Sequence, residues 1–196
     1  TATATPKVVA DMQARFAIAA ADVVTTGFYR PNLNLLVEPV RGEDKRRHLV
    51  EWMSERPGQP GIVYVTLQKT AEHIAEHLGR NGIQAQAYHA GLPNDQREAI
   101  QKEFMAGQSN CIVATIAFGM GIDKSDIRNV VHFDLPKSIE NYSQEIGRAG
   151  RDGQPSDCLV LANRDSLNVL ENFVYGDTPE RAGIRHVLDE LKASVP

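Results

Sequence analysis

Short, continuous apolar runs alternate along this chain with longer segments in which apolar residues return every three or four positions. Gly61-Ile62-Val63-Tyr64-Val65-Thr66 is a run of strand length. Gln68 to Arg80 follows with Ala71, Ile74, Ala75 and Leu78 on one helical face, and Asn81-Gly82 supplies a stop. The pattern then repeats. It predicts a strand over Gln84 to His89, a helix over Pro93 to Ala106, strands over Cys111 to Ile116 and Asn129 to Phe133, a helix over Ser138 to Arg148, and a closing strand over Asp157 to Leu161. Pro93 suits a first helical turn, where its missing N–H costs nothing. This alternation predicts an α/β fold, a parallel sheet with helices on both faces in three layers. Runs that are apolar at every position fit strands buried on both sides.

The two ends read differently. Residues 1–27 are rich in Ala and Thr and predict one helix over Lys7 to Phe16, and residues 28–34 read as an extended linker into the first strand. Residues 164–196 predict one or two amphipathic helices broken near Gly176-Asp177-Thr178-Pro179, with Thr178 as a cap and Pro179 at the first helical position. No internal repeat is present.

Composition narrows the class. The 196 residues suffice for one sizeable core, and 42% hydrophobic with 23% charged residues is ordinary for a soluble globular protein. A net charge of −4 and a pI of about 5.9 leave no global basic footprint, so any nucleic-acid contact must be local. The densest basic run, Lys45-Arg46-Arg47-His48, reads as a solvated helix face. Cys111 and Cys158 each open an apolar run and read as buried strand thiols in a reducing, cytoplasmic setting. No Cys/His spacing predicts a zinc site, and no apolar stretch has the length of a membrane helix.

The candidate chemistry sits after strands, where open α/β sheets collect function. Gln144-Glu145-Ile146-Gly147-Arg148-Ala149-Gly150-Arg151-Asp152-Gly153 places two arginines three apart, each beside glycine. Guanidinium groups stay charged and fork onto phosphate oxygens, while glycine admits a bulky anion. Spacing of three predicts both arginines on one side of a helical turn. Thr115-Ile116-Ala117-Phe118-Gly119-Met120-Gly121-Ile122-Asp123-Lys124 sets a hydroxyl, two glycines and a carboxylate behind one strand. Thr115 and the N–H groups after it suit a nucleic-acid phosphate, and Asp123 suits a ribose. His89-Ala90-Gly91-Leu92 leads into a helix whose first N–H groups are open to phosphate. Taken singly, each loop also fits an ordinary turn with exposed charges.

Together, these segments resemble a known family. Thr115 to Lys124 is similar to helicase motif V and Gln144 to Gly153 to motif VI, in the form typical of RecQ-like DNA helicases of superfamily 2. Gly61 to Thr66 resembles motif IV, Tyr88 to Leu92 the block after it, Phe28-Tyr29-Arg30-Pro31-Asn32 the lead-in to the second motor lobe, and Thr1-Ala2-Thr3 motif III. The resemblance runs in order over residues 1–163. It implies a RecA-like fold, with residues 1–30 as the end of the first lobe and the linker, 31–163 as the second lobe, and 164–196 as a helical extension. It implies Arg151 as an arginine finger on the γ-phosphate, with Arg148 sharing the phosphate contact or coupling to the other lobe. Gln144 is implied to sense the nucleotide, Asp123 to face the ribose or the motif VI arginines, and Gly121 to belong to the nucleotide site. Thr115, His89 and Thr66 contact the DNA backbone. Where DEAD-box RNA helicases carry His-Arg, this chain has Gln144-Glu145, which favours a DNA motor.

No G-x-x-x-x-G-K-[ST] pattern and no Asp-Glu-x-His element occurs, and the resemblance assigns both to a first lobe lying before Thr1. The implied cofactors, ATP and Mg²⁺, are then held mainly by that lobe, and the fragment alone is expected to be inactive. The implied partners are DNA and the first lobe, with no membrane. In a prokaryote the protein is expected at the nucleoid, in repair and recombination. The family's zinc module is expected only beyond Pro196, and Glu171 to Pro179 departs from the family pattern. Two other readings stay open: a non-catalytic module that binds nucleic acid or protein, and an RNA-directed superfamily 2 helicase.

Overall fold

In the computed structural model, residues 4–24, 29–119, 122–164, 166–167 and 171 are described. Among them β1 (Leu33–Pro39), β2 (Gly61–Tyr64), β3 (Ala85–Tyr88), β4 (Cys111–Ala114), β5 (Asn129–His132) and β6 (Ser156–Ala162) form one sheet in the order β1-β6-β5-β2-β4-β3. Every neighbouring pair is parallel, so each connection must cross back over the sheet; helices make four of the five crossings, while β4 and β5 are joined by residues 115–128, which hold no helix among the described residues. The crossing helices are α2 (Lys45–Ser54), α3 (Gln68–Arg80), α4 (Asn94–Met105) and α5 (Ile139–Ile146), preceded by α1 (Pro6–Phe16).

Alternate strand residues point to opposite faces, and at the central strands β2, β4 and β5 both faces are buried. Val63, Val65, Val113, Val131, Leu159 and Leu161 pack with Leu49 and Trp52 of α2 and with Ala71, Ile74 and Leu78 of α3. Ile62, Tyr64, Ile112, Ala114, Val130 and Cys158 pack on the other face with Ile100 and Phe104 of α4, and Ile146 of α5 lies against them. The result is the expected three-layer, RecA-like sheet with helices on both faces. Tyr88 and Phe104 each meet Phe118 edge-on, with ring centroids 4.7 and 5.7 Å apart. That contact pins the loop after β4 to the core, and burying one such ring contributes about 1.5–3 kcal/mol.

Several boundaries are shorter than the pattern predicts. β2 and β4 end at Tyr64 and Ala114, which puts Thr66 and Thr115 in loops. α5 starts where Ser138 accepts a hydrogen bond from the Asn141 N–H at 3.2 Å, but it ends at Ile146. Arg148 and Arg151 therefore stand in turns beyond the helix rather than on one of its faces. The basic run also departs from expectation. Arg46 and Arg47 are solvated, but Lys45 is buried, with its Nζ 3.3 Å from Asp134 Oδ1 and 4.4 Å from the Phe133 ring centroid. An ammonium at the first turn of α2 stays buried here because a carboxylate and a ring face receive it. Cys111 and Cys158 are buried free thiols, as expected. The helices predicted over 164–196 lie almost wholly outside the described residues, as do Thr1 to Thr3 and Phe28. No helix among the described residues is long and apolar enough to cross a membrane.

Candidate functional site

The order β5-β2-β4-β3 sets four loops side by side along the carboxyl edge of the sheet. Asp134 follows β5, Thr66 follows β2, Thr115 to Asp123 follow β4, and His89 follows β3. The turn after α5 carries Arg148 and Arg151 onto the third of these loops. The Arg148 guanidinium donates to the Gly119 carbonyl, and Arg151 Nη1 donates to Asp123 Oδ1 at 2.5 Å. Motifs 29 and 28 residues apart in the chain thus meet at two points. A Cβ at Gly119 would run into the Arg148 guanidinium, so a larger residue there would push that guanidinium out of its present place.

The two arginines sit differently. Arg151 and Asp123 form an exposed pair, with the Asp123 side chain 86% accessible, and such a pair is worth no more than about 1 kcal/mol. Its guanidinium is therefore held in place yet available to a stronger anion. Arg148 is half-buried and takes part in a deeper network. Tyr64 donates its hydroxyl to the Phe118 carbonyl at 3.3 Å, next to the carbonyl that Arg148 holds. Burial raises the Tyr64 pKa above its ordinary value, and the Arg148 guanidinium partly offsets this. The Tyr64 ring stacks on His132 with centroids 5.4 Å apart. His132, fully buried, lies with Nε2 2.7 Å from Glu145 Oε2. His132 Nδ1 meets no hydrogen-bond partner among the described residues.

Other predicted residues take varied places. Gln144 lies exposed on α5, one position before the buried Glu145. Gly121 lies outside the described residues. Thr115 is buried, and its hydroxyl accepts the Ala117 N–H at 3.5 Å, bracing the start of its loop. His89 is also buried, with Nε2 3.2 Å from Glu72 Oε1, and a Cβ at Gly91 would crowd the imidazole. In this structure neither side chain presents itself at the surface. Thr66 lines a cleft of about 280 Å³ with Lys45, Arg46, His73 and Asp134, and its N–H donates to Asp134 Oδ2 at 2.9 Å.

Two further sets of side chains support the arginine turn. Arg128 reaches the Gln154 and Pro155 carbonyls, the Ser156 hydroxyl and Asp152, bracing the far side of the arginine turn. Arg30 and Asn32 hold its near side through the Ala149 and Gly150 carbonyls. The family resemblance had picked out Arg30 and Asn32, but spacing alone carries no sign of a contact spanning so much of the chain. The site as a whole offers two guanidiniums beside glycine-bordered backbone, a donor set that fits a polyphosphate. No group of three His, Cys, Asp or Glu among the described residues is placed to hold a metal ion.

Residues 44–153 match the helicase conserved C-terminal domain. The chain is 45% identical to the ATP-dependent DNA helicase RecQ of Bacillus subtilis, over 100% of this chain and 32% of that protein. It is 41% identical to the RecQ-like DNA helicase blm-1 of Caenorhabditis elegans, over 98% of this chain and 20% of that protein. The chain thus spans about a third or less of the length of these relatives. Among solved structures, Saccharomyces cerevisiae Dbp5 bound to RNA and ADP BeF3 superposes with a TM-score of 0.71 at 21% identity, covering 88% of this chain and 47% of that one, a likeness of fold. The chain belongs to the helicase conserved C-terminal domain family, and within it resembles the RecQ-type DNA helicases along nearly its whole length.

Proposed function

We propose that the chain is the second motor lobe of an ATP-dependent DNA helicase, supplying its arginine finger and part of its DNA-backbone contact. The observation that carries this reading is the meeting of Arg148 and Arg151 with Gly119 and Asp123 at the carboxyl edge of the sheet. When bound, ATP supplies the phosphoryl group whose transfer to water drives the motor. Its β- and γ-phosphates and Mg²⁺ belong mainly to a first lobe, since the donors here suit phosphate oxygens and not a metal. Arg151 exchanges its exposed carboxylate partner for the γ-phosphate when the lobes close. There it stabilises charge on the transferring group, an effect worth about 10³–10⁵ in rate in comparable sites. Arg148 turns part of its guanidinium to the same anion while Tyr64 keeps hold of the loop. Gln144 and Asp123 flank the nucleotide, and Gly121 keeps the nucleotide-site role that the family resemblance implies.

DNA follows the loops after β2, β4 and β3. Thr66 and the loop N–H groups touch its backbone, and Thr115 and His89 act there by shaping the loops they brace. Backbone contact makes the motor sequence-tolerant and salt-sensitive, with 3′ to 5′ movement implied by the family. The working place is the cytoplasm, at the nucleoid in a prokaryote. A zinc module, where the full protein has one, follows this lobe.

The test uses the full-length protein and the 196-residue chain side by side. The full-length protein is expected to unwind a 3′-tailed DNA duplex with ATP, and an RNA duplex of the same sequence poorly. The chain alone is expected to hydrolyse no ATP with or without DNA. DNA-stimulated hydrolysis by the chain alone contradicts the division of labour, and a preference for RNA contradicts the substrate.

A further inference from the structure

The turn that bears the arginines has contacts on two sides. The side chains of Arg148 and Arg151 reach toward the loop after β4. The carbonyls between them are taken up from a segment 119 and 120 positions earlier in the chain. Arg30 Nη2 donates to Ala149 O at 3.2 Å and to Gly150 O at 2.6 Å. Asn32 Nδ2 donates to the same Gly150 O at 2.8 Å and to Gln154 O at 2.9 Å. Arg30 Nε also donates to Asn32 Oδ1 at 3.3 Å, which fixes the amide with its NH₂ turned to the carbonyls. The reverse amide would set an oxygen against two carbonyl oxygens and an NH₂ against a guanidinium.

The base of this clamp is anchored. Pro31 restricts the backbone between the two side chains, and the Leu33 N–H closes a turn on Arg30 O at 3.1 Å. Asn32 O accepts the Ser156 N–H at 2.9 Å, where β1 meets β6. Gly150 is shaped to receive the clamp: its φ is +53°, and a Cβ there would lie 2.5 Å from Asn32 Nδ2. The far side of the turn has separate braces from Arg128, so the turn does not depend on Arg30 for its existence. What Arg30 and Asn32 set is the orientation of the two peptide units that join one arginine to the other.

We propose that Arg30 and Asn32 are positioning residues for the reaction: they lock the Ala149 and Gly150 carbonyls so that Arg148 and Arg151 are presented together to the nucleotide phosphates. This rests on the reading of those two arginines given above. It makes the segment leading into β1 a part of the hydrolysis machinery, since a shift of its backbone moves the finger. Misplacement of a charged group by about 1 Å costs on the order of a hundredfold in rate.

The experiment compares Arg30→Met, Arg30→Lys, Asn32→Asp and Arg151→Ala in the full-length protein. DNA-stimulated hydrolysis is measured per nucleotide site, with sites counted by a fluorescent ADP analogue so that misfolded enzyme is left out. Arg30→Met and Asn32→Asp are expected to lower kcat by about ten- to a hundredfold with KM for ATP within about twofold. Arg30→Lys keeps a charged donor and is expected to recover a large part of the loss. A kcat per site within twofold of the parent for either Arg30→Met or Asn32→Asp overturns the proposal. So does a rise in KM with kcat unchanged, or failure of lysine to restore activity. If Arg30→Met does not fold, Asn32→Asp alone decides on the same criteria. Arg151→Ala separates the two claims. Unchanged hydrolysis there removes the finger itself, whereas a collapse there with normal Arg30 and Asn32 variants removes only the clamp.

Discussion

Gly150 and Gly153 share one turn and both hold left-handed backbone, at φ +53° and +81°, yet alanine meets different surroundings at each. The left-handed conformation costs an alanine about 1–2 kcal/mol at either position. Removing glycine also narrows the unfolded chain, which returns about 0.4–1 kcal/mol at either position. Both effects cancel when the two variants are compared. At Gly153 a Cβ has nothing within 4 Å. At Gly150 it lies 2.5 Å from Asn32 Nδ2, 2.7 Å from Gln154 O and 2.7 Å from Ser156 Oγ. The Gln154 oxygen is backbone and cannot swing aside. Overpacking costs about 1–3 kcal/mol, and each Asn32 hydrogen bond displaced costs about 1 more. Gly150→Ala is therefore expected to unfold about 2–5 kcal/mol more easily than Gly153→Ala. Urea unfolding of the 196-residue chain, followed by the emission of its single tryptophan, Trp52, measures this on the opposite face of the sheet. Losses equal to within about 0.5 kcal/mol refute the reasoning, because they leave the crowding at Gly150 without effect.

Glu145→Leu strands the buried His132 Nε2 and is expected to cost about 1–3 kcal/mol in the same assay, whereas His132→Phe with Glu145→Leu restores most of it; additive losses contradict a paired network. Burial pushes the Cys111 and Cys158 thiols up to about 12 from an ordinary value near 9.0, so the folded chain holds protons that the unfolded one releases. Their contribution to stability is thus complete below about pH 8.5 and lost as pH rises toward 12. The urea midpoint is expected to fall over that range, and less so in Cys111→Ala/Cys158→Ala. At pH 8, Ellman's reagent is expected to find neither thiol in the native chain and both in urea, and rapid native labelling contradicts their burial.

The sheet was legible because its central strands, Ile62 to Tyr64, Ile112 to Ala114 and Val130 to Val131, are apolar at every position, as burial on two faces demands. The helix over α3 was legible because one face carries Ala71, Ile74, Ala75 and Leu78. The end of α5 was misjudged because the arginine spacing fits a helical face equally well, whereas the chain turns at Gly147. Lys45 was misjudged because it opens a charged run, and only the fold brings Asp134 and Phe133 to it. The arginine and Thr115 loops announced themselves through glycines beside charged and polar residues. Their supports did not. His132 and Glu145 look like ordinary polar residues of a strand and a helix, and Arg30 meets Gly150 only across 120 positions. Contacts of such separation leave no periodic trace in a sequence.

Hydrolysis by full-length protein carrying Arg151→Ala tests the central claim most directly. DNA-stimulated kcat is expected to fall by about 10³ or more, with ATP and DNA affinities changed by no more than a few fold. A kcat equal to that of the parent, with both ligands bound normally, contradicts that claim.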